Sequence, residues 1–165
     1  MRFFADGPNI PDELLVARDL GDVVFFCGAG VSLARANLPD FPGLLKKVID
    51  ELGAAQNSPA RSEILSVDRR FRLLEREFET SEVREAVAGR LVVDPLVDLT
   101  AHRTLLDLAT SNTGIVRLVT TNFDGLFERT DPTLAWSAPP RLPDPQNDVD
   151  FRGVVHIHGR SDAVN

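Results

Sequence analysis

The apolar residues of this chain follow two rhythms, short unbroken runs and stripes at helical spacing. Val23-Val-Phe-Phe-Cys27, Arg117-Leu-Val-Thr-Thr121 (preceded by Gly114-Ile-Val) and Gly153-Val-Val-His-Ile157 are the runs. Short apolar or β-branched runs that stop at glycine or asparagine read as strands, and Val23–Cys27 reads as one buried on both faces. They stop at Gly28-Ala-Gly30, Asn122-Phe-Asp-Gly125 and His158-Gly159. Helical spacing predicts a helix over Ile10–Leu20, with Pro11 in its first turn and Gly21 as its cap. A second runs from about Gly43 to Leu52, with Leu44, Leu45, Val48, Ile49 and Leu52 on one side and Gly53 closing it. Ser62–Phe78 is a third helical stretch, with a break near Asp68 as the alternative, and with Ile64, Leu65, Phe71, Leu73, Leu74 and Phe78 as core. Ser81 caps a short helix ending at Gly89, Thr100 caps His102–Thr110, and Leu126-Phe127 opens a short one. Ala34–Gly43, with two prolines, reads as a loop, as does proline-rich 130–150, which Trp136 anchors on the body.

The order of helix, strand, several helices, strand, short helix, strand predicts an α/β fold. It is the layout of a Rossmann-like parallel sheet with helices on both faces, with only the first half, three strands, present. Parallel strands place their carboxyl ends along one edge. Gly28, Gly30, Asn122, Asp124 and His158 each follow a predicted strand, so they are expected to converge on one crevice.

With 165 residues, the chain is long enough for one domain with a real core. A net charge of −7 without a basic block argues against direct nucleic-acid binding. The densest arginines, Arg69-Arg70-Phe71-Arg72, are diluted by Glu75, Glu77 and Glu79 and read as a solvated helix face. A lone cysteine, Cys27, excludes an internal disulfide and a Cys-x-x-Cys zinc site, and points to the reducing cytoplasm. No apolar run approaches the ~20 residues that span a bilayer, so no membrane is expected. Met1-Arg-Phe-Phe4 is too short for a signal peptide.

Each candidate for chemistry has a structural reading beside it. Gly28-Ala-Gly-Val-Ser32 could offer backbone N–H groups to a phosphate or be a plain tight turn; Leu33 stands where a dinucleotide fingerprint has its third glycine. Ser32 could bind phosphate or cap a helix, and Asn122 and Asp124 are good turn formers. Asp40 sits in a proline turn, and Phe41 fits loop packing. His102 lies on a helix and reads as structural. His156 and His158 read as sharing one face of a strand, where metal binding would need a third ligand that cannot be placed. A histidine at a strand's carboxyl end, followed by glycine, instead suits a general base near neutral pH.

Phe26-Cys-Gly-Ala-Gly-Val-Ser32, Leu38-Pro-Asp-Phe41, Thr120-Thr-Asn-Phe-Asp124 and Val155-His-Ile-His-Gly159 occur in the order found in sirtuin-type NAD-consuming domains, which this chain resembles over residues 22–159. The resemblance implies that Gly28, Ala29, Gly30 and Ser32 hold the NAD diphosphate. Asp40 and Phe41 would lie by the nicotinamide and its ribose. Asn122 would position ribose or a water, Asp124 would bind the carboxamide, and His158 would be the general base. Sirtuin deacylases usually carry a four-cysteine zinc module near the His-Gly strand; here the interval holds no cysteine, only the proline-rich loop 130–150. Thr121 replaces the usual glutamine and Pro42 the arginine that often follows Asp-Phe.

These departures move the likeness toward zinc-free bacterial sirtuin-like domains, several of which hydrolyse NAD, often as effectors of anti-phage defence. The expectation is therefore an NAD hydrolase that takes NAD as substrate, needs no zinc, and works as a homo-oligomer or beside a further effector or sensor domain. An NAD-dependent protein deacylase and a non-catalytic module binding NAD or ADP-ribose are the alternatives. The resemblance implies three further strands after His-Gly, so residues 1–165 are expected to form a domain incomplete at its C-terminus.

Overall fold

The computed structural model of the chain describes residues 2, 5–144, 147 and 151–161. In chain order its elements are α1 (Asp12–Leu20), β1 (Phe25–Cys27), α2 (Gly30–Ala36), α3 (Phe41–Glu51), a 3-10 turn (Pro59–Arg61), α4 (Val67–Glu77), α5 (Thr80–Arg90), α6 (Thr100–Ala109), β2 (Arg117–Thr120), α7 (Leu126–Thr130), β3 (Trp136–Ser137) and β4 (Gly153–His156). They fall into two compact units, one within Met1–Gly28 and Leu99–Arg160, the other built on Ala29–Asp98.

The first unit is an α/β body around a parallel sheet of order β1-β2-β4-β3. Phe25 pairs with Leu118, Arg117 with Gly153 and Trp136 with Val154. The described residues thus form four strands where three were expected. The additional one, β3, lies in the stretch expected to be loop, since two residues among prolines carry no period to read. β1 is not buried on both faces either. Among the described residues it pairs with β2 alone; its side chains alternate between the two faces, so Phe26 is 64% exposed while Cys27 is buried. The central strands carry the core, with Leu118 and Val154 fully buried. Thr121 N–H to Cys27 O (3.2 Å) and Ile157 N–H to Thr120 O (3.1 Å) extend the ladder one step past the strands.

Two helices tie back to this body. α1 begins with Asp12 and Glu13, favourable at a helix N-terminus, with Pro11 at its cap rather than inside. It ends on left-handed Gly21, and the Asp22 N–H reaches the Ala17 carbonyl at 2.8 Å. Arg18 donates to the carbonyls of Asp107 (2.7 Å) and Leu108 (2.9 Å), placing a cation at the last turn of α6. α6 packs on β2 and α7, where His102, fully buried, meets Phe127 edge-on at 5.1 Å. That is the structural role expected of it.

The second unit is helical. α3 starts two residues earlier than its apolar stripe, because the Asp40 carboxylate accepts the Gly43 N–H (2.8 Å) and Pro42 suits a first turn. Leu44, Leu45, Val48 and Ile49 are buried where α3 packs on α4 and α5, which add Leu74, Val83 and Ala86. The loop expected over Ala34–Gly43 shrinks, since α2 runs to Ala36 and α3 begins at Phe41. Ile64 is 96% exposed and not core: Ser62–Ser66 forms a turn, closed by Leu65 N–H to Ser62 O at 3.2 Å, and α4 begins only at Val67. Glu79, not Ser81, caps α5, in a reciprocal box with Glu82, and the helix continues through Gly89 to Arg90. Likewise Leu99 occupies the cap of α6 and Thr100 is its first residue. Arg70 is not simply solvated, for its Nε donates to the Ala60 carbonyl (2.7 Å) and ties α4 to the 3-10 turn. Among the described residues no helix is long and apolar enough to cross a membrane.

Gly153 has φ +92, and a Cβ built there would overlap the Ala135 carbonyl, which accepts the Val154 N–H at 2.9 Å. Gly153→Ala is therefore expected to destabilise the protein by at least about 2 kcal/mol, read as a lowered urea midpoint. At the end of β1, burial pushes the Cys27 thiol above its ordinary range. The folded state holds that proton more tightly than the unfolded chain, so this contribution to stability falls as pH rises through the ordinary thiol range. At pH 8 a thiol-disulfide reagent should label Cys27 at least about tenfold more slowly in the folded protein than in urea; equal rates would show that the end of β1 opens.

Candidate functional site

Four of the expected site residues stand on the carboxyl side of the sheet in the first unit. Gly28 follows β1, and a Cβ there would meet Thr121 Oγ1 at an ordinary 3.8 Å. After β2 the chain turns sharply. Thr120, fully buried, accepts the Asn122 N–H on its hydroxyl (3.0 Å), and the Asp124 carboxylate accepts the Leu126 N–H (3.2 Å) at the start of α7. Asn122 and Asp124 are 5% and 6% exposed, so the turn is sunk into the body rather than draped over it. After β4 a second turn is closed by Gly159 N–H to His156 O (3.2 Å), with Gly159 at φ +94. His158 lies in that turn and is exposed, its ring 6.5 Å from that of Phe123.

His156 and His158 do not share a strand face as expected. β4 ends at His156, and the turn sends the two rings to different surroundings. His156 has no exposed surface; its Nδ1 lies 3.0 Å from the Asn122 carbonyl and its Nε2 2.8 Å from Glu128 Oε1. A carbonyl can only accept, so Nδ1–H donates to it, and Nε2 is left facing the carboxylate. Both ring nitrogens are thereby engaged, which leaves none for a metal. Among the described residues no cluster of His, Cys, Asp and Glu could hold one.

Glu128 was not legible as a site residue. It lies on five-residue α7, 8% exposed, and its second oxygen faces Arg160 Nε at 3.8 Å. The Arg160 guanidinium also lies 4.5 Å over the Trp136 ring, and its nitrogens fill the space that a Cβ on Gly125 would occupy. Trp136 thus anchors as expected, but from a strand and through a cation. The available signal was a carboxylate directly after Leu126-Phe127, which once buried must find a partner.

The remaining expected residues belong to the second unit. Ala29 is the cap residue of α2 and Gly30 its first residue; a Cβ at Gly30 would meet nothing within 4 Å. Ser32 is 2% exposed. Asp40 caps α3 through Gly43, and Phe41 stacks on Phe71 with ring centroids 5.4 Å apart and planes 15° apart. Both therefore have the structural employment that their sequence contexts allowed.

No protein-family model matches the chain. The chain is similar to a protein of Sinorhizobium fredii (strain NBRC 101917 / NGR234), the uncharacterized protein y4cA, with 35% identity over 172 aligned residues. That alignment takes in 97% of this chain and 14% of y4cA, so the chain spans about a seventh of the length of the relative it matches.

Proposed function

We propose that this chain is a sirtuin-like NAD hydrolase domain, cleaving the bond between nicotinamide and ribose. The observation that carries the reading is the gathering of Gly28, Asn122, Asp124 and His158 on the carboxyl side of β1, β2 and β4, where ligands of parallel α/β sheets bind. The glycines add support. Neither Gly28 nor Gly30 has a left-handed backbone, and neither is crowded, so the fold alone does not require glycine at either position. Close approach of a phosphate to backbone would.

In the proposed reaction the C–N bond between the ribose and the nicotinamide breaks and its electron pair leaves with nicotinamide. Water adds to the ribose carbon, giving ADP-ribose and one proton. His158, exposed in its turn, takes that proton from the water. Asn122, held from both sides of its backbone, orients the ribose or the water, and Asp124 receives the carboxamide. The resemblance further assigns Gly28, Ala29, Gly30 and Ser32 to the diphosphate and Asp40 and Phe41 to the nicotinamide end. An effector role in anti-phage defence is the biological setting to which it points.

The test is nicotinamide release from NAD by the full-length polypeptide, with no acyl-peptide present. His158→Ala is expected to lower it by at least about 100-fold, with Asn122→Ala also impaired. Wild type releasing no more nicotinamide than the His158→Ala control overturns the hydrolase reading. A strict requirement for an acyl-lysine peptide would identify a deacylase instead, and calorimetric NAD binding without turnover a non-catalytic module.

A further inference from the structure

We infer that Glu128 is the positioning residue of this site, a single buried carboxylate that clamps both arms of the turn carrying His158 and, through His156, the turn carrying Asn122. Its catalytic meaning rests on the hydrolase reading above; its geometry does not. His158 sits between His156 and Arg160, two residues from each. Glu128 Oε1 hydrogen-bonds His156 at 2.8 Å, where β4 enters the turn, and Oε2 forms a longer ion pair with Arg160 Nε at 3.8 Å, beyond hydrogen-bond reach, where the chain leaves it. The far nitrogen of His156 holds the Asn122 carbonyl at 3.0 Å. One side chain on α7 therefore reaches the flanks of two separate turns, each bearing a residue proposed to act on NAD.

The surroundings keep most water from this connection. His156 is fully buried, and Glu128 and Arg160 expose only 9% and 22% of their side chains. Trp136 lies against both partners, under the guanidinium at 4.5 Å and edge-on to the imidazole at 6.4 Å. With little water to compensate, releasing the carboxylate leaves His156 Nε2 and Arg160 without their anion. His158, by contrast, meets the Phe123 ring at 6.5 Å and makes no hydrogen bond among the described residues, so the tie to its flanks sets where its ring stands. Small displacements of a positioned group cost rate steeply, up to about 100-fold for roughly 1 Å.

Three variants of the full-length protein test this. Glu128→Gln can keep both contacts in shape, its amide donating to Nε2 and its oxygen facing Arg160, whereas Glu128→Ala removes both; Arg160→Leu frees only the exit arm. Hydrogen exchange is followed in segments 120–126 and 153–161, with 41–51 of the helical unit as an internal control. Glu128→Ala is expected to speed exchange at least about tenfold in both turn segments and not in the control, Arg160→Leu only in 153–161, and Glu128→Gln in neither. In nicotinamide release, Glu128→Ala should lower kcat at least about tenfold with KM for NAD within about twofold, and Glu128→Gln should restore most of it. Unchanged exchange in Glu128→Ala, or equal acceleration in all segments including the control, overturns the proposal, because Glu128 would then be idle or merely stabilising. If wild type releases no nicotinamide, the hydrolase reading fails while the exchange pattern still decides the clamp.

Discussion

A histidine with no exposed surface must satisfy both ring nitrogens inside the protein, and His156 does so with the Asn122 carbonyl on one side and the Glu128 carboxylate on the other. That bridge is the constraint on which the carboxyl end of the sheet depends. It sits on a central strand, between β2 and β3, where it cannot reach water. The β2 turn must therefore bring a carbonyl to it, and α7 must start early enough to bring a carboxylate. Asp124, capping the Leu126 N–H, sets where that helix begins. The turn chemistry after β2 and the polar core of β4 are thus one arrangement rather than two.

This explains why buried and exposed polar groups divide as they do. Thr120, Asn122, Asp124, Glu128 and His156 are all buried, and each has a partner that holds backbone or charge in place. His158 alone among these polar side chains stands exposed, on a turn whose closure Gly159 makes possible through its left-handed backbone. A buried polar frame thus presents one exposed imidazole. In the helical unit, Asp40 caps α3 and Phe41 stacks on Phe71, so local structure fixes both side chains.

Much of the fold was legible because it is carried by local signals. The runs at Phe25–Cys27, Arg117–Thr120 and Gly153–His156 are strands within a residue or two of their apolar limits, and Gly21 ends α1 as its position foretold. The misreadings have different causes. Phe26 is exposed because alternate side chains of β1 point to opposite faces of the sheet, and the face that takes Phe26 is not covered there. Ile64 fell outside its helix because Ser62–Ser66 turns before α4 begins. Trp136–Ser137 became a strand because β4 offered a free edge, which two residues cannot announce by period.

For the site, the sequence by itself determined which residues follow each strand, since the polar turns at Gly28, Asn122 and His158 stop the apolar runs that make the sheet. Parallel pairing then obliges those turns to share one side. What only the tertiary structure decided is how they are held: that His156 and His158, two residues apart, divide into a buried bridge and an exposed imidazole, and that a glutamate on a five-residue helix meets the buried one. Such ties are invisible along the chain because a buried charge finds its partner through space, and Glu128 and His156 lie 28 residues apart.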